Sequence, residues 1–127
     1  MIGFWIFILI VTLLLPITMI LLGNVFSNNK GPKEINWASG YRTTRSMKNQ
    51  DTWQFAQSYM GKVWKIMGCV LTPVALVAMF FSFGKDVGYV GVYGMVIEGV
   101  ELIVMLFSIV LVENALKRTF DDSGNRR

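Results

Sequence analysis

Residues 66–84 read IMGCVLTPVALVAMFFSFG, with no charged side chain among them. A helix needs roughly 20 mostly apolar residues to cross the hydrocarbon core of a bilayer, so this stretch predicts a transmembrane span and sets the class of fold. Working outward, residues 1–29 also carry no charge, and a third apolar stretch, about 89–112, is interrupted only by Glu98 and Glu101. The 127-residue chain is 54% hydrophobic and 16% charged, with a mean hydropathy of +0.50. A soluble domain carries about 25% charged residues; a soluble three-helix bundle would need far more polar surface to cover these helices. The first span is not read as a cleaved signal peptide. No basic residue precedes Phe4-Trp5-Ile6, and Gly23-Asn24-Val25-Phe26 makes a poor cleavage site. The expected architecture is an all-α membrane protein, one domain over residues 1–127. Its transmembrane helices fall at about 2–24, 63–84 and 89–112, with a loop at 25–62 and a tail at 113–127.

Charge decides the orientation. Lys and Arg concentrate on the side of the membrane that stays inside. The first loop holds Lys30, Lys33, Arg42, Arg45, Lys48 and Lys62, with Lys65 at the mouth of the second span, and the tail holds Lys117, Arg118, Arg126 and Arg127. Only Lys85 lies in the turn between spans two and three. An odd number of crossings puts loop and tail on one side, which the rule makes cytoplasmic, with the N-terminus outside and the C-terminus inside. The net charge of +4 then faces anionic headgroups, so membrane lipid is an expected partner and nucleic acid is not. Trp5, Tyr89 and Tyr93 near one face and Trp64 near the other fit aromatic belts. The chain has no His, and its one cysteine, Cys69, lies inside a span. No metal site, cofactor or catalytic constellation is expected, and the protein does not read as an enzyme.

Within the loop, 24–33 is rich in turn residues. From about residue 50 the pattern becomes helical, with Asn49 as N-cap and Asp51 in the first turn. Trp53, Ala56, Met60, Val63, Trp64 and Met67 form one apolar stripe. That stripe fits either a cytoplasmic amphipathic helix, bent from the second span near Gly61, or an extension of that span; the bent, separate helix is the favoured expectation. Pro16 and Pro73 should bend the first and second spans, and residues 121–127 read as a loose polar tail.

Two places carry chemistry. On the third span, Gly91, Gly94, Glu98, Glu101, Met105 and Ser108 share a face at 100° per residue. Small residues there let a neighbouring helix approach. A charge at the bilayer centre costs at least about 2.5–3.5 kcal/mol, so the carboxyls should point into the bundle. Either they form a proton- or cation-binding site or grip a basic group on a peptide, or they are structural glue bonded to Thr12, Thr18, Thr72 or Ser82. The other place is 40–49, GYRTTRSMKN. Arg42 and Arg45 are spaced to flank a carboxylate or phosphate; as a bare charge cluster they would be ordinary anchors to lipid phosphates. Gly40 permits an unusual backbone, and Thr43, Thr44 and Ser46 offer caps. A mere anchor requires no such string.

From Asn36 to Lys62 the chain follows N-x-x-x-G-Y-R-T-x-x-S-M-K-N-x-x-x-W-x-x-A-x-x-x-x-G-K. This stretch resembles the signature of the SdpI family, bacterial membrane proteins related to the immunity protein against the sporulation-delaying toxin peptide. The matching positions are Asn36, Gly40, Tyr41, Arg42, Thr43, Ser46, Asn49, Trp53, Ala56 and Gly61. The family usually has Ala-Asn at the helix centre, whereas Gln57 follows Ala56 here, keeping the amide with one more methylene. The resemblance implies a bacterial cell-membrane protein that confers toxin immunity by binding or blocking a membrane-active peptide, with recruitment of a cytoplasmic repressor as a signalling output. Other classes stay open: a small proton- or cation-coupled transporter using Glu98 and Glu101, or an assembly factor whose glycine face docks a larger membrane partner. Topology suggests that the loop folds back under the bundle, with Arg42 capping a helix end or pairing with Glu113, and Trp53 among headgroups. A homodimer would cover the polar seam.

Overall fold

The computed structural model describes residues 2–36 and 40–127. Three helices carry most of them: α1 (Ile2–Ser27), α2 (Gln50–Phe80) and α3 (Val87–Thr119). All three are long and apolar enough to cross a membrane. Among the described residues there is no strand element, only an isolated bridge between Phe120 and Arg126. The helices comprise 26, 31 and 33 residues. At about 1.5 Å per residue each is longer than a hydrocarbon core of roughly 30 Å. Large apolar side chains cover the outside: Phe80, Met95 and Ile103 are each at least two-thirds exposed. That outer surface suits lipid, where an exposed apolar side chain loses nothing.

The second helix begins where its cap was expected. Asn49 Oδ1 accepts from the Thr52 N–H at 2.9 Å, and Thr52 Oγ1 accepts from the Asn49 N–H at 3.0 Å. This reciprocal pair satisfies two donors at the helix start, with Asp51 in the first turn. From there α2 runs unbroken to Phe80, which corrects the expectation of a separate amphipathic helix bent at Gly61. Residues 50–62 are the first turns of α2. The reason is the use made of Gly61: a Cβ there would stand 2.4 Å from the backbone nitrogen of Ser27 and 2.7 Å from Phe26 Cβ. The missing side chain admits α1, and it does not loosen α2.

The same device recurs along the α1–α2 seam. A Cβ on Gly23 would meet the Lys65 nitrogen at 2.5 Å, and one on Gly68 would meet the Pro16 carbonyl oxygen at 2.6 Å. Pro16 and Pro73 both lie inside unbroken helices. Close backbone approach replaces the hydrophobic drive that lipid cannot supply. Helix α3 joins through Gly94, whose Cβ would stand 2.4 Å from Ile8 Cγ2, as the shared glycine face predicted. Two apolar cores sit at opposite ends. One gathers Trp5, Met79 and Val90; its indole N–H lies 3.1 Å from both the Met79 carbonyl and Ser82 Oγ. The other joins Tyr41, Ala56, Met60, Val112, Leu116 and Phe120.

After α3 the chain does not trail away, contrary to the loose tail expected. Asp121 Oδ1 accepts from the N–H groups of Ser123 and Asn125, each at 2.9 Å, and Gly124 takes φ 87°. This turn sends Arg126 back to Asp51 in a two-bond contact, both at 2.9 Å. It also lets Asn49 Nδ2 donate to the Gly124 carbonyl at 2.8 Å. The tail therefore closes over the start of α2.

Substituting Gly61 by Leu should lower stability by about 1–3 kcal/mol through overpacking, seen as a lower midpoint of heat-induced loss of the monodisperse peak in detergent. Gly99→Ala is the control, since no atom lies within 4 Å of its added Cβ; it should hold or raise the midpoint. Equal midpoints for Gly61→Leu and the parent would refute the backbone seam.

Candidate functional site

The predicted residues fall into two places. The first is the end of the bundle where the loop, the start of α2 and the end of α3 meet. Gln57 is buried on α2 and its amide engages Tyr41 twice: Oε1 accepts from the Tyr41 N–H and Nε2 donates to the Tyr41 carbonyl, each at 2.7 Å. One side chain thus satisfies both backbone groups of a buried loop residue, as an adjacent strand would. Gly40 makes room for it. Its φ of 91° belongs to the left-handed region, and a Cβ would stand 2.7 Å from Gln57 Oε1.

Tyr41, so held, points its phenol at α3 and donates to Glu113 Oε1 at 2.7 Å. Burial first, and then the Glu113 carboxylate, pushes the phenol far above its ordinary range, so it remains a donor. The next turn is closed by hydroxyls. Ser46 Oγ accepts from the Thr43 N–H at 2.8 Å, and Thr43 Oγ1 accepts from the Ser46 N–H at 3.2 Å. Thr52 Oγ1, already part of the cap, reaches the Ser46 carbonyl at 3.1 Å. The glycine, the hydroxyls and Asn49 therefore do what their order in the sequence suggested.

Two expectations need correcting. Arg45, not Arg42, stands by Glu113, at 4.0 Å, with Asp122 at 3.6 Å on its other side. The Arg42 side chain is exposed and borders a cavity of about 300 Å³ with Tyr41, Trp64, Met105 and Ser108. Trp53 does not lie among headgroups: it is fully buried, its indole donating to the Pro32 carbonyl at 2.8 Å, and so pins the earlier part of the loop. The Asn36 amide donates to the Glu34 carbonyl at 3.0 Å. Sequence reasoning missed the contribution of the tail, although the Asp-Asp-Ser-Gly-Asn run is turn-forming chemistry.

The second place lies far from the first. Glu101 precedes Glu113 by about three helical turns, roughly 18 Å along the axis. Both acidic residues of the span face inward as expected, Glu101 being only 1% exposed, and they adjoin each other. The hydroxyls expected to bind them are engaged elsewhere: Thr12 donates to the Leu9 carbonyl, Thr72 to that of Gly68 and Ser82 to that of Met79. Glu98 Oε1 and both Glu101 oxygens are buried and meet no donor group from any other residue, the two carboxyls being each other's close polar neighbours. Nearer the loop, Trp64 Nε1 donates to Ser108 Oγ at 3.0 Å, so the continuation of the acidic face pairs with α2. The face as a whole packs inward; only the carboxyls go unmatched.

The profile of the SdpI/YfhL protein family matches residues 33–112, well over half of the chain. The match takes in the loop cluster, all of α2 and most of α3, and omits α1. No curated protein and no solved structure matches the chain.

Replacing Gln57 by Leu strands the N–H of Tyr41, at about 1–3 kcal/mol for a buried group left unpaired, while the Tyr41 carbonyl keeps only the Ser46 hydroxyl at 3.2 Å. Trypsin cleavage within 30–48, followed in detergent micelles, should accelerate at least tenfold while far-UV circular dichroism stays helical. Unchanged cleavage would mean that another contact fixes the loop.

Proposed function

Because this chain belongs to the SdpI/YfhL protein family, and so is a multi-pass membrane protein, we propose that it confers immunity to a membrane-active toxin peptide by binding it or blocking its insertion. The carrying observation is the hydrogen-bonded cluster around Gln57 and Tyr41, built on the positions where the family signature falls. Its outer surface presents Arg42, Thr44 and Lys48, all exposed. In this proposal that ordered basic face lies on the cytoplasmic side and is where a repressor protein would dock. The charge distribution supports that orientation: eleven of the twelve Lys and Arg residues lie at the loop-and-tail end, Lys85 alone at the other. The function calls for no catalysis and no cofactor.

One observation favours a second function, a small proton- or cation-coupled transporter or a subunit of a membrane complex. It is the unmatched carboxyl pair of Glu98 and Glu101. The two functions separate by assay. A transporter moves protons or cations across proteoliposomes and stops when both residues become Gln, whereas an immunity protein moves none.

Reporter fusions placed after Asn36 and after Arg127 should both register as cytoplasmic, and one after Gly84 as external; the reverse pattern would overturn the orientation. In a toxin-challenge assay, cells expressing the protein should outgrow empty-vector cells, with protection much reduced by Gln57→Leu. Equal killing with and without the protein would rule out immunity.

A further inference from the structure

Helices α2 and α3 lean together at the loop end and leave a groove over the rest of their length. It encloses about 940 Å³ and runs from Asp86 and Gly88 down to Glu101. No residue of α1 lines it. Its walls are Leu71, Ala75 and Ala78 on one side and Val92, Val96 and Val100 on the other, and its floor at the deep end is Glu101. Val92, Val96 and Val100 are more than half exposed, so the groove opens sideways into lipid. The volume lies near the upper end of the range of about 300–1,000 Å³ for ligand pockets. Apolar walls with one convergent charged group give such a site both affinity and register.

The carboxyl selects the occupant. Both its oxygens are buried and meet no donor group, Glu98 being their close polar neighbour, about 20 Å along α3 from the mouth of the groove. Glu98, its neighbour, lies against a different recess of about 290 Å³, with Ile8, Thr12 and Gly94. A second copy of the chain cannot neutralise Glu101: residues 1–29, 66–84 and 86–112 contain no Lys or Arg. A headgroup amine of a lipid stays at the interface and does not reach this depth. A lone hard cation needs about six oxygen ligands, and no cluster of three metal-ligating side chains exists among the described residues. Apart from a proton shared with Glu98, what remains is an apolar body carrying its own cation at depth. We propose that the α2–α3 groove holds a hydrophobic peptide helix and that Glu101 forms an ion pair with a lysine or arginine on it. The groove then becomes the toxin-binding site of the immunity function, on which this inference rests for its biological partner. Asp86 and the stacked pair Tyr89 and Tyr93, whose rings are 5.7 Å apart, stand at the entrance. A peptide entering from that end reaches Glu101 without crossing the loop cluster.

The test uses the full chain in lipid nanodiscs and two synthetic leucine–alanine helices, one with a single central lysine and one with leucine in its place. Binding is followed by energy transfer between dyes on peptide and protein. The lysine helix should bind at least tenfold more tightly than the leucine helix. Glu101→Gln should abolish that preference without altering the weaker binding, and Ala78→Phe should weaken both peptides by filling the groove. Absence of a lysine preference in the parent protein, or its persistence in Glu101→Gln, overturns the proposal. If Glu101→Gln does not fold, Glu101→Asp decides: the preference must survive in reduced form, and its full retention counts against contact with this side chain. The toxin-challenge assay fails independently. Lysine preference without protection leaves the site standing and removes the immunity function; protection without lysine preference does the opposite.

Discussion

The Gln57 amide sits at the base of everything the loop does. A chain that leaves a membrane helix must satisfy its own N–H and carbonyl groups, and burying them unmatched is costly. Tyr41 is buried and lies in no regular element; the Ser46 hydroxyl reaches its carbonyl, and a single side chain from α2 bonds both that carbonyl and the N–H. That contact demands a glycine before it, at a positive φ, and fixes the direction of the phenol after it. The phenol meets Glu113, and Glu113 in turn faces Arg45. Helix α2, the loop and α3 are thus tied by polar contacts, each of which depends on the one before.

The rest of the molecule is held differently. Between the loop end and the far core, α1 and α2 touch through glycines, and the contact is backbone against backbone. Such a seam is stiff and gains from dispersion alone. Helix α3 meets α1 at Gly94 against the Ile8 side chain and stands apart from α2 along the groove between its two ends. The protein combines a rigid pair with a third helix anchored at both ends and open between. That arrangement leaves space at mid-depth and puts the buried carboxyl of Glu101 on its floor.

Much of this is legible in the sequence because it depends on local chemistry. The spans follow from hydropathy, the start of α2 from the capping power of Asn49, and the inward direction of Glu98 and Glu101 from the cost of facing them to lipid. The family signature over 36–62 marks the loop as ordered. What escaped depends on which neighbour arrives. Gly61 reads as a hinge until Phe26 and Ser27 are seen to fill the space beside it. Arg42 and Arg45 are interchangeable by spacing, and only the fold of the turn between Thr43 and Ser46 selects Arg45 for Glu113. Thr12, Thr72 and Ser82 looked like partners for the carboxyls, but hydroxyls on helices readily bond carbonyls three or four residues back, and here they do.

The contacts that close the loop end join residues far apart in the chain: Tyr41 with Glu113 across 72 positions, Asn49 with Gly124 across 75. During synthesis the loop emerges before its partners exist, and it cannot settle until the last helix has entered the membrane and its far end has turned back. Insertion of α3 and maturation of the loop are therefore one event. A chain stalled before that point lacks the Glu113 and Gly124 contacts that complete the loop end.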